Sequence, residues 1–152
     1  GMDYTAIAIG DGVNQPLELL ALADDNSAPA AGSFKLRLGH LAPFASGPAT
    51  ADIRLQDGTP VLTNVNFSDV SGYLALPAGE YDLKITTPGG GDTLIDPLPV
   101  TFAAGDIVSV FAVGDGTNEP TGAYALPAGA SGYFLPIQTG YTLYLPVVFR
   151  MP

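Results

Sequence analysis

Apolar and polar side chains take turns along most of this chain, with a period of two. Phe34, Leu36 and Leu38 alternate with Lys35, Arg37 and Gly39; Ile53 and Leu55 alternate with Asp52 and Arg54; Tyr81, Leu83 and Ile85 alternate with Asp82 and Lys84. Successive side chains of an extended strand point to opposite faces, so each run predicts a half-buried β-strand. Further strands are predicted at residues 4–9, 17–22, 61–65, 70–76, 93–95, 98–102 and 122–126. Residues 107–113 are apolar on both faces, as a central strand is. The tail at 141–150 has the same character. Left exposed it would invite aggregation, so it is expected to be covered or paired. A helical turn competes with a strand only at residues 17–22.

Turn residues cut these runs. Gly10-Asp11-Gly12 opens a turn, because Gly and Asp tolerate positive φ. Asp57-Gly58 marks a hairpin, and Pro97 and Pro99 confine their neighbours to short edge strands. Residues 24–32 are polar with Pro and Gly, and read as a linker. Short strands between frequent turns predict an all-β fold, an immunoglobulin-like antiparallel β-sandwich.

The two ends of the chain carry the same phrase. Ala8-Ile9-Gly10-Asp11-Gly12-Val13-Asn14-Gln15-Pro16 returns, 104 positions later, as Ala112-Val113-Gly114-Asp115-Gly116-Thr117-Asn118-Glu119-Pro120. That spacing is the size of a domain. Residues 1–32 are therefore expected to be the closing hairpin of a preceding repeat plus a spacer, 33–127 a whole sandwich, and 128–152 a C-terminal β extension. A lone hairpin is marginal in water. Residues 4–22 are accordingly expected to pair with the C-terminal tail or with another copy of the chain.

Composition narrows the function classes. Fifteen acids against five bases give a formal charge of −10. Nucleic acid and anionic membrane surfaces call for a basic protein, so both are disfavoured as partners. There is no cysteine, which excludes disulfides and thiol chemistry. No run approaches the roughly 18 apolar residues of a membrane-spanning helix, so no membrane insertion is expected.

Few residues are candidates for chemistry. His40 is the only histidine, and with Asp52 it flanks one loop. A hydrolytic triad also needs a nucleophile, and there is no G-x-S-x-G elbow. The sequence favours a structural His40 that tethers the loop from Pro43 to Pro48, with Asp52 as a structural neighbour. The twin turns offer Asp11, Asn14, Asp115, Asn118 and Glu119 as weak calcium candidates. They lack the further acids of an EF-hand, and turn geometry accounts for them. One His without Cys makes zinc improbable. No cofactor is expected. Tyr73, Tyr81 and Tyr124 sit in core-like alternation, which leaves little for a carbohydrate platform. Gly79, two residues before Tyr81 at a strand start, fits a tyrosine corner, in which the phenol reaches back to the backbone.

The stretch from Phe34 to about Leu126 resembles a bacterial family known as domain of unknown function 4397 (DUF4397). The resemblance is carried by Arg37-Leu38-Gly39-His40-Leu41-Ala42-Pro43, Ala51-Asp52-Ile53-Arg54, Pro60-Val61-Leu62-Thr63-Asn64-Val65, Ser71 through Leu83, and Ala104 through Gly114. Ala42 stands where the family commonly has Ser, and Gly39 where a β-branched residue is usual. The resemblance implies an immunoglobulin-like sandwich, often in tandem, on exported or surface proteins, and no established activity. The expectation is thus a non-catalytic extracellular or cell-surface module for adhesion, spacing or protein interaction. The alternative is a carbohydrate- or calcium-binding accessory module. Neighbouring repeats, an unidentified surface protein and further copies joined through edge strands are the expected partners.

Overall fold

The alternation of Phe34, Leu36 and Leu38 becomes, in a computed structural model that describes residues 2–138, a strand with all three side chains in one core. The described residues form thirteen strands and no helix. In chain order they are β1 (Asp3–Ile9), β2 (Glu18–Asp24), β3 (Ser33–His40), β4 (Ala51–Leu55), β5 (Pro60–Val65), β6 (Leu74–Pro77), β7 (Gly79–Tyr81), β8 (Leu83–Thr86), β9 (Thr93–Ile95), β10 (Val100–Phe102), β11 (Ile107–Val113), β12 (Gly122–Pro127) and β13 (Tyr133–Phe134). The expected tail strand at 141–150 lies outside the described residues.

Two sheets make a β-sandwich. One has the order β13-β12-β11-β3-β6 and the other β5-β4-β8-β9. Their facing side chains form a single core that joins Leu36 and Leu38 with Ile53, Ile85, Val110 and Ala125. Burial on this scale, at about 25 cal/mol per Å² of apolar surface, is the main stabilising contribution to such a domain. All strand pairings are antiparallel except one: β3 runs parallel to β11, with Leu36 beside Val108 and Leu38 beside Val110. A parallel pair needs a long connection, and here most of the domain lies between the two strands.

The run expected as one strand from Tyr81 to Ile85 is two. β7 pairs with β10 in a small sheet of its own, whereas β8 joins β4. The chain changes sheets at Asp82, because Tyr81 turns in to pack on Phe34 (ring centroids 5.2 Å apart) while Phe34 stacks on Phe102 at 4.6 Å. The Tyr81 hydroxyl donates to the Pro77 carbonyl at 2.8 Å, spanning the corner that holds Gly79. The strand expected from residue 70 begins at Leu74; before it, Val70 makes only an isolated bridge to Gly39.

The segment at 17–22, where a helical turn competed, is extended and forms β2. Among the described residues, the β1–β2 hairpin pairs with no strand but itself. It is held by its face instead. Ile7, Ile9, Leu20 and Leu22 pack on Leu41, Phe111 and Val113, on the outer side of the five-stranded sheet. Gly39 makes that seat possible, since a Cβ there would lie 2.8 Å from the Phe111 ring and 2.9 Å from Val70.

Candidate functional site

Most of the polar side chains singled out by the sequence hold backbone or one another. In the first twin turn, Asp11 Oδ1 accepts the backbone N–H of Val13, Asn14 and Gln15 at 3.0, 2.8 and 2.9 Å, and Asn14 Nδ2 donates to Asp11 Oδ2 at 2.9 Å. The second turn repeats these four bonds. Asp115 Oδ1 accepts from Thr117, Asn118 and Glu119 at 2.9, 2.8 and 2.9 Å, and Asn118 Nδ2 reaches Asp115 Oδ2 at 2.6 Å. Gly10 and Gly114 open the turns at φ 89° and 87°, and a Cβ on either would collide with the carbonyl of Pro16 or Pro120. The donated N–H bonds, that of Gln15 foremost, hold the Asp11 carboxyl below its ordinary range; Asp115 is lowered the same way, chiefly by Glu119 N–H. A calcium ion would compete with these donors for the same lone pairs. Among the described residues no three His, Asp or Glu side chains gather as a metal would require.

The surroundings of the twin turns differ. Asn14 Nδ2 also donates to the Pro43 carbonyl at 3.1 Å, and Gln15 Nε2 donates to Ala45 and Gly47 carbonyls at 2.7 and 2.8 Å. Gln15 is buried by this contact, whereas Asn118 and Glu119 are exposed. Sequence reasoning missed Gln15. The one available signal was that it replaces Glu119, exchanging an acceptor for a donor.

His40 and Asp52 are both buried, and they serve separate jobs. His40 Nε2 donates to the Ala49 carbonyl at 2.6 Å, and Nδ1 accepts from Ala42 N–H at 3.4 Å. This anchors the loop at Ala49, whose φ of 44° is left-handed. Phe44 stacks on the imidazole at 5.1 Å. Burial pushes the His40 pKa below its usual 6.5, against the Ala49 carbonyl and the Asp69 charge, which favour the proton. Asp52 accepts from Asn64 N–H at 2.8 Å, Gly89 N–H at 2.9 Å and Arg54 Nη2 at 2.6 Å. Burial works to raise its pKa, and those donors outweigh it, so the carboxyl stays lowered. With both Asp52 oxygens occupied and His40 turned to Ala49, the pair does not form an acid–base couple.

A charged clamp holds the base of the hairpin. Arg37, on the outer face of β3, donates to Ser109 Oγ at 2.8 Å, to the Ala23 carbonyl at 3.1 Å and to Asp24 Oδ1 at 2.8 Å. Its guanidinium lies 4.7 Å from the centre of the Tyr73 ring. Beside it, Lys35 pairs with Asp25 at 2.6 Å and, with the hydroxyl and backbone N–H of Ser27, lowers that carboxyl to about 2. Between the twin turns runs an open cleft of about 760 Å³, lined mainly by apolar groups such as Ile7, Ile9, Pro43, Val113 and Leu135, with Asp11, Asp115 and Glu119 also along it.

The sequence pattern of one family, described as Domain of unknown function (DUF4397), matches residues 44–127, more than half of the chain. The match begins ten residues after Phe34, where the resemblance starts. No curated protein and no solved structure matches the chain.

Proposed function

This chain belongs to the DUF4397 family, and we propose that it serves as a non-catalytic module outside the cell, for adhesion, spacing or protein interaction in a tandem array. The observation that carries this reading is how the candidate chemistry is used. His40 and Asp52 hold the backbone of sandwich loops, and Asp11 and Asp115 each cap a hairpin turn through three backbone N–H groups. Such a scaffold presents loops and sheet edges, which is how display modules bind. The twin turns support the tandem part, since one chain holds two copies of one hairpin.

Three measurements on the purified chain test this. Light scattering is expected to show concentration-dependent association. Thermal unfolding is expected to be indifferent to millimolar calcium, and a glycan array is expected to stay dark. A rise in Tm with calcium, or a specific glycan signal, would replace this reading with the ligand-binding one.

A further inference from the structure

The β1–β2 hairpin has two faces, and the one turned away from the sandwich is built as an interior. β1 pairs with β2 in the register in which β11 pairs with β12: Ala8 faces Leu19 and Ala6 faces Ala21, as Ala112 faces Ala123 and Val110 faces Ala125. Six of the seven β1–β2 pairs recur in β11–β12 at the same offset of 104 positions as the turns. In the second hairpin this face is core, with Ala112, Ala123 and Ala125 exposed by only 3%, 1% and 0%. In the first hairpin the corresponding Ala8, Leu19 and Ala21 lie open, and Leu19 is 75% exposed. Alanine is a poor choice for the solvent side of a strand. Ala6, Ala8, Ala21 and Ala23 are all on this side, where small residues suit a sheet packed close against another.

We infer that this bare face is the closing side of a second sandwich of the same fold, whose other sheet, the equivalent of β5-β4-β8-β9, covers Tyr4, Ala6, Ala8, Leu19 and Ala21. The inference rests on the tandem reading above and supplies the joint of the array. The hairpin is shared: one face completes the core of its own module, and the other seats Ile7, Ile9, Leu20 and Leu22 on the next. Successive modules then meet back to back through their closing hairpins, with Arg37 and Gln15 fixing the two ends of the contact.

The register gives the test. Residues 33–104 fused directly ahead of Gly1 of the full chain put Gly1 where Gly105 follows Ala104, and rebuild around β1–β2 a module that lacks only the equivalent of β13 and Leu135. Hydrogen exchange of the β1 and β2 amides is expected to slow at least tenfold in the fusion relative to the chain alone. Leu19→Asp is expected to abolish that slowing in the fusion and to leave the Tm of the unfused chain unchanged. Unchanged exchange on fusion overturns the inference. So does exchange in the unfused chain that is already as slow as in the fusion, whether it is lost on dilution (a second copy covers the face) or on removing residues 139–152 (the C-terminal segment covers it). Self-association, the readout for the adhesion reading, is followed on the same samples and can fail independently.

Discussion

Replacing Gln15 with Ala tests whether the N-terminal hairpin is docked through its turn. The substitution removes two donated bonds, to Ala45 and Gly47 carbonyls, and leaves the Asp11 cap untouched. A hydrogen bond of this kind contributes about 1 kcal/mol net, so the pair contributes about 2 kcal/mol to holding the hairpin on the sandwich. That corresponds to about thirtyfold in the equilibrium for lifting the hairpin off, since about 1.4 kcal/mol is a factor of ten. Native-state hydrogen exchange is the suitable assay, because it reads local opening separately from global unfolding. Amides of β1 and β2 are expected to exchange about thirtyfold faster, with those of β11 unaffected. Glu119→Ala is the internal control: it alters the same turn position in the other copy, where the side chain is exposed. It is expected to change nothing measurable. Equal effects of the two substitutions, or none from Gln15→Ala, would refute the claim that the turn's amides dock the hairpin.

Three buried residues give the further outcomes. Asp52→Ala leaves the Asn64 and Gly89 N–H groups and the Arg54 charge without their acceptor, and is expected to cost about 3 kcal/mol or more in chemical denaturation. Because the folded pKa of Asp52 is depressed, its contribution is present above the ordinary 3.8 and is lost as pH falls below it; the wild-type Tm is expected to drop there more steeply than that of Asp52→Asn. His40 acts in a higher window. Its folded pKa is also depressed, so the unfolded chain takes up a proton that the buried ring refuses. Stability is expected to be full above 6.5 and to fall as pH drops below it, a slope that His40→Gln removes. Gly39→Val places methyl groups where Phe111 and Val70 stand, and is expected to cost about 1–3 kcal/mol by overpacking and to loosen β1–β2 in hydrogen exchange.

Much of the fold was legible because a period of two is a local property. The alternation around Phe34 and the two-sided apolar run at 107–113 each became the strand they predict. His40 holding its loop and Tyr81 reaching Pro77 are also local, spanning nine and four residues. What stayed hidden is partner choice. Alternation says that Leu38 faces inward, but not that β3 lies parallel to β11, which is decided by packing across the whole domain. The break between Tyr81 and Leu83 was hidden for the same reason, as the pattern continues through Asp82 while the hydrogen bonds change sheets. The hairpin faces were hidden because both are apolar, and only the buried counterparts in β11 and β12 show what each is for.

The two copies act as an experiment within one molecule. The identical positions are those the turn itself demands: Gly10 and Gly114 for their positive φ, Asp11 and Asp115 for three N–H groups, Asn14 and Asn118 for the second carboxylate oxygen. Gln15 and Glu119 differ where the surroundings differ, whereas Val13 and Thr117 differ although both are exposed. Gln15 must donate to two carbonyls and Glu119 meets solvent; a carboxylate at position 15 would set an acceptor against acceptors. The turn is therefore a fixed part, and the exchange of Gln15 for Glu119 is the one that swaps a docking donor for an acceptor, beside the bond from Asn14 to the Pro43 carbonyl. Exchanging that pair, Gln15→Glu with Glu119→Gln, should move the joint without disturbing either cap: β1–β2 exchange rises while the bonds to Asp11 and Asp115, followed by protection of the Gln15 and Glu119 positions' own amides against turn opening, stay equal in the two copies. Unequal loss of the caps would show instead that the turn and its docking are one unit, and that the repeat is held by more than its shared residues.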